Sequence, residues 1–140
     1  MFDKFNKYIS EFEMEEFTTD YWYDEGAFIA QEILENFESN DWEALLKELS
    51  TKSIGWKQRL AYCLHDGNDL KQLEVLLRLI DTDEDNELFE LCVDSLRSFT
   101  SEESRELLQK KPQIILKIKE LMPKVGDVTK RIFAEFLNES

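Results

Sequence analysis

Residues 42–49 read WEALLKEL and residues 73–80 read LEVLLRLI, and the two segments share their apolar pattern at an offset of 31. In the helix that follows each, Leu60, Ala61 and Leu64 match Cys92, Val93 and Leu96 at an offset of 32. Leu107 and Leu108 repeat the leucine pair a further 31 residues on, with neighbours that match poorly. Each unit is a helical pair that cannot cover its own apolar face, and stacked units bury one continuous core.

The tetratricopeptide and ankyrin signatures are absent, so the repeat predicts an all-α fold, a short stack of helical hairpins of HEAT or armadillo type. Four Gly and two Pro among 140 residues leave few turns, which favours long helices and short connections over a sheet. The periodicity predicts about nine helices and no sheet. Phe2, Phe5, Ile9 and Phe12 give the first its stripe, and Leu70, Leu73, Leu77 and Ile80 stripe the fifth. Asn40 with Glu43 and Thr100 with Glu103 have capping-box spacing, and Ser53, Asn68 and Asp83 are expected helix starts. Gly67 is expected to end the fourth helix, and Pro112 to open the eighth. Val128, Ile132, Phe133 and Phe136 are expected to face inward from the last. The chain reads as one domain: an acidic N-terminal helix pair over 1–40, two repeat-like hairpins over 41–99, and capping helices over 100–140.

Net charge is −14, unevenly spread. Residues 1–40 hold 11 acids and 2 bases, and residues 67–99 hold 9 and 3, while 100–140 nearly balance at 7 and 8. A nucleic-acid binder or a helical-repeat nucleic-acid enzyme would need a basic stripe to overcome that field. A basic protein partner suits it better. The N-terminus is acidic and interrupted, unlike a signal peptide, and no segment reaches the ~18 apolar residues of a membrane span. Cys63 and Cys92 sit at apolar helical positions and read as buried free thiols of a cytoplasmic protein.

Residues 20–38, DYWYDEGAFIAQEILENFE, sort into two faces on a helical wheel. One arc collects Trp22, Tyr23, Gly26, Ala27, Ile29, Ala30, Ile33, Leu34 and Phe37, and is expected to meet the core. The other carries Asp24, Glu25, Glu32 and Glu35 around Tyr21 and Phe28, which stand seven residues apart and so nearly in line. Carboxylates around aromatic anchors form a binding surface for a basic protein. Asp83, Glu84, Asp85 and Glu87 form a second acidic set expected to meet Arg or Lys of the partner.

Chemistry-bearing constellations are scarce. His65 is the single histidine, and Cys63, two residues away on one helix, points in a different direction. Two Cys and one His do not close a zinc site. Asp81, Asp83 and Asp85 fit the first ligands of an EF-hand loop, but Asn86 replaces its Gly and Cys92 its final Glu. No phosphate-binding Gly-rich loop or nucleophile elbow is present. The expectation is a protein that is not an enzyme, with no catalytic, cofactor-binding or metal-binding residues.

Residues 53–68, SIGWKQRLAYCLHDGN, resemble the W-x-x-R-L-A-x-x-L turn and helix of small, acidic, all-helical bacterial immunity proteins. That group includes those of contact-dependent growth inhibition and related polymorphic toxin systems. Val93, Asp94, Ser95, Leu96 and Arg97 continue the likeness, which covers about residues 42–99. The resemblance implies a cytoplasmic inhibitor, a monomer or one half of a 1:1 heterodimer, that binds the C-terminal toxin domain of a large secreted effector. Many such toxins are nucleases with basic clefts, and an RNase is the expected target. The same architecture would also serve a HEAT-like adaptor or scaffold that binds a peptide or helix of an unrelated protein. A toxin gene beside this one separates the two readings.

Overall fold

Phe2, Phe5, Ile9 and Phe12 are all buried, and their three- and four-residue spacing makes one apolar stripe of helix α1 (Phe2–Met14). The structure, a computed structural model, describes residues 1–14, 21–82 and 85–139. It is all-α: among the described residues there are helices and turns and no strand. The chain forms two compact units, Met1–Leu64 and His65–Ser140, and the division falls inside the segment that carries the repeat.

In the first unit a π-turn (Trp22–Gly26) runs directly into α2 (Ala27–Glu35). Next come α3 (Ser39–Glu48), a 3-10 turn (Leu49–Thr51) and α4 (Ile54–Cys63). Helix α1 packs on α2, α3 and α4, and α2 also packs on α4. Phe5 joins these elements: its ring lies edge-on to Phe37 at 5.7 Å and to Trp56 at 6.1 Å, and Phe37 meets Trp42 at 4.8 Å. Such edge-to-face pairs add about 0.5–1.5 kcal/mol each beyond burial. The Trp56 indole is 1 % exposed, and its Nε1–H donates to Asn6 Oδ1 at 3.1 Å, so the ring is buried without stranding its polar group.

Helix α3 starts before the expected Asn40. Glu38 is its N-cap, and the capping box is Glu38 with Asp41. Asp41 Oδ2 accepts the Glu38 N–H at 2.9 Å, while Oδ1 accepts the Phe2 N–H at 3.0 Å and lies 3.2 Å from the terminal amine. One carboxylate therefore ties the start of α1 to the start of α3. Those hydrogen bonds, above all that from Glu38, hold its pKa below the ordinary carboxylate value. Ser53 caps α4 as expected, its Oγ accepting the Trp56 N–H at 3.1 Å.

The second unit contains α5 (Leu70–Thr82), α6 (Asn86–Leu96), α7 (Glu102–Gln109), α8 (Pro112–Leu121) with a 3-10 turn (Met122–Lys124), and α9 (Asp127–Glu139). Helix α6 is central, packed against α5 and α9. Leu88, Phe89, Cys92, Val93 and Leu96 give it an apolar arc that is entirely buried, with Phe89 against Phe133 of α9 at 6.1 Å. Arg97 closes the α6 end by pairing with Asp94 and with Glu135 of α9. Pro112 opens α8 as expected.

Several expected boundaries shift. Helix α4 ends at Cys63, and Gly67 lies beyond it with no positive φ. Its lack of a side chain serves close approach, because a Cβ there would overlap the Ser98 carbonyl oxygen. Asn68 does not begin α5, which starts at Leu70 behind Asp69, whose Oδ1 accepts the Lys71 N–H at 3.0 Å. Ser101 rather than Thr100 caps α7, its Oγ accepting the Ser104 N–H at 3.1 Å. Val128 faces solvent instead of the core, one turn before the buried Phe133 and Phe136 take over the packing.

Candidate functional site

The segment 21–35 is not one regular helix: a π-turn over Trp22–Gly26 precedes the α-helical Ala27–Glu35. A π-turn closes i→i+5 bonds and takes up roughly one residue more than an α-turn, worth about 100° of rotation. Everything before Ala27 is therefore turned relative to a straight α-helical wheel. Trp22, Gly26, Ala27, Ala30, Ile33 and Leu34 are buried as expected. Tyr23 is not: it is 47 % exposed and rests edge-on against Tyr62 at 4.8 Å. Ile29, also read as core, is exposed along a groove that Tyr8 of α1 shares.

Gly26, the last residue of the turn, is closely approached by two rings. A Cβ on it would stand 2.5 Å from the Phe12 ring and 2.8 Å from the Trp22 ring, so both aromatics press on its backbone. Phe12 and Trp22 are themselves edge-on at 5.0 Å. The same Phe12 ring stacks on Tyr21, with centroids 5.9 Å apart and planes inclined by 29°.

Phe28 is 62 % exposed, and Asp24, Glu25, Glu32 and Glu35 are exposed with it. Glu32 and Glu35 follow Phe28 by four and seven residues on α2, which sets them along one outward ridge. Tyr21 is 39 % exposed, and its ring also stacks on Phe12 of α1. The Tyr8 hydroxyl is raised above its ordinary pKa by burial first, then by Tyr21, Glu11, Glu25 and Cys63. Phe28 is the more exposed of the two aromatics, at 62 % against 39 % for Tyr21. Ile29 is the neighbour that sequence reasoning missed. Gly26 inside a helical pattern was the available signal, since such a glycine marks a close approach that breaks the regular wheel.

In the second acidic set, Asp83 and Glu84 lie outside the described residues. Asp85 is the N-cap of α6, its Oδ2 accepting the Leu88 N–H at 2.8 Å, so this carboxylate has a local structural task. Glu87 is exposed one turn before Glu90. Burial, and after it the charges of Glu87 and Asp85, raise the Glu90 carboxyl above its ordinary pKa. Asp81, the first position of the EF-hand-like spacing, pairs with Lys111. Among the described residues no group of three or more His, Cys, Asp or Glu is placed to hold a metal ion.

Cys63 and Cys92 are both buried and in no disulfide. Burial raises the Cys63 thiol strongly, which keeps it protonated, and its Sγ lies 4.0 Å from the Ala27 carbonyl oxygen. His65 is exposed. Among the described residues no helix is long and apolar enough to cross a membrane.

Chemically, the α2 ridge offers a large apolar contact ringed by negative charge. Such a surface attracts a cationic patch over a distance and holds it by burying the ring on contact. No family model, no curated protein and no solved structure matches the chain.

Proposed function

We propose that this protein is a bacterial immunity protein, which binds a basic toxin domain and neutralises it through the acidic ridge of α2. The observation that carries the reading is Phe28: an aromatic ring 62 % exposed on the helix that also presents Glu32 and Glu35, in a chain of net charge −14. Exposed aromatics in acidic surroundings fit a partner that brings Arg and Lys. Nuclease clefts are cationic because they hold phosphate, so a nuclease toxin, an RNase in the first instance, is the partner class favoured. The inhibitor would act in the cytoplasm as a 1:1 complex, with carboxylates steering association and Phe28 setting the residence time.

The test is capture from the native host with the tagged full chain, followed by mass spectrometry. A basic C-terminal fragment of a large effector, retained by the native chain and lost by Phe28→Ala, is the expected result. Equal recovery by both proteins would remove the α2 ridge as the site. An unrelated complex without any effector fragment would favour the adaptor reading.

A further inference from the structure

We propose that the second unit binds a small apolar carboxylic acid in a cavity among α7, α8 and the ends of α6 and α9. The cavity measures about 180 Å³. Leu108, Ile114, Ile115 and Phe136 stand in its apolar wall, and Arg105 and Lys111 are the cations that line it. An apolar cavity of about 150 Å³ accepts a benzene ring. The space therefore fits one aromatic ring or a short branched chain, and nothing much larger.

The cavity exists because α7 is too polar to fill it. That helix, EESRELLQ, has only two large apolar residues; Leu107 is turned to solvent and Leu108 is half-buried. Ser104, its fully buried residue, is small, and its hydroxyl accepts from Ser101 Oγ at 2.9 Å rather than reaching further.

Charge selects the ligand. The Lys111 ammonium is paired with Asp81, which leaves little of its charge for a guest. Arg105 is exposed at the mouth of the cavity, and among the described residues its guanidinium has no ion pair. Of the five arginines, Arg105 is the one that lines this cavity. Guanidinium matches a carboxylate with two parallel hydrogen bonds, a geometry that lysine cannot reproduce. A ligand with its apolar body among Ile114, Ile115 and Phe136 and its carboxylate on Arg105 satisfies both halves of the site. This inference does not depend on the identity of any protein partner.

The experiment titrates the full chain with benzoate, phenylacetate and 3-methylbutanoate, with benzyl alcohol as the neutral counterpart. Methyl NMR of Leu108, Ile114 and Ile115 gives the readout. Saturable shifts at these methyls are expected with at least one acid. Affinity for that acid should fall about tenfold or more in Arg105→Gln and by less in Arg105→Lys, whereas benzyl alcohol should bind Arg105→Gln and the native chain alike. Arg105 is exposed, so both variants should keep the native fold. Absence of saturable shifts with all three acids overturns the site. Equal affinity of the acid for Arg105→Gln and the native chain overturns the carboxylate assignment.

Discussion

The backbone at Gly67 passes so close to the Ser98 carbonyl that no side chain fits between them. The obstacle is main chain, which cannot swing aside as a side chain can. Gly67→Ala should therefore destabilise the protein by about 2–3 kcal/mol, the upper range for overpacking. Gly126→Ala is the control, since nothing lies within 4 Å of a Cβ there. Urea unfolding of the two variants measures the contrast, and similar midpoints would show that the 66–69 turn can move away from Ser98.

Asp41 holds two helix starts with one carboxylate, and its stabilisation depends on charge. Its folded pKa lies below the unfolded value, so the contribution is complete above the unfolded pKa of about 4 and is lost as pH falls through the folded value. Asp41→Ala should cost about 1 kcal/mol at neutral pH, the usual worth of a capping side chain. The gap between native and variant should narrow below about pH 4. Thermal unfolding from pH 7 down to pH 3 tests this, and a gap that stays constant would assign the loss to something other than the ionised carboxylate.

On the α2 ridge, stability and binding should separate. Phe28 is exposed, so Phe28→Ala should alter stability by no more than about 0.5 kcal/mol. Its affinity for the basic partner should fall at least tenfold, as for a buried interface anchor. Reversing Glu32 and Glu35 to Lys should weaken binding further and flatten its dependence on salt, because the attraction that salt screens is gone. Calorimetric titration at two ionic strengths distinguishes these outcomes.

The parts of the fold that sequence made legible are those governed by regular periodicity. The stripe of α1, the buried arc of α6, the Ser53 cap and Pro112 at the head of α8 each follow from local spacing, and local spacing is what a helix obeys. The misread positions depend on tertiary contact. A uniform wheel places Tyr23 and Ile29 in the core; the π-turn at Trp22–Gly26 breaks that wheel at Tyr23, and Ile29, beyond the turn on α2, lines the groove shared with Tyr8. Gly67 looked like a helix stop because glycines often are, whereas its cause is Ser98, 31 residues away. Caps moved from Asn40 to Glu38 and from Thr100 to Ser101 because neighbouring polar residues compete for the same role at each helix start. For the candidate site, the acids and Phe28 were readable as an exposed face. The stacking of Tyr21 on Phe12 was not.

Glu90 supplies the opposite pH signature to Asp41. It is half-buried on α6 near Glu87 and Asp85, and its carboxyl is raised above the ordinary range, by burial first and then by those two charges. A carboxyl whose folded pKa exceeds its unfolded one weakens the fold as pH rises from the unfolded value through the folded value, and the penalty is full above both. Glu90→Gln removes that penalty while keeping the shape of the side chain. The variant should unfold at a higher temperature at pH 7, with a gain of about 0.2–0.5 kcal/mol, the scale of a like-charge pair on a helix. At about pH 4, where the native carboxyl is protonated, the two proteins should converge. Scanning calorimetry at both pH values measures the difference. A gain that persists undiminished at low pH would trace the effect to packing of the amide and not to removal of charge.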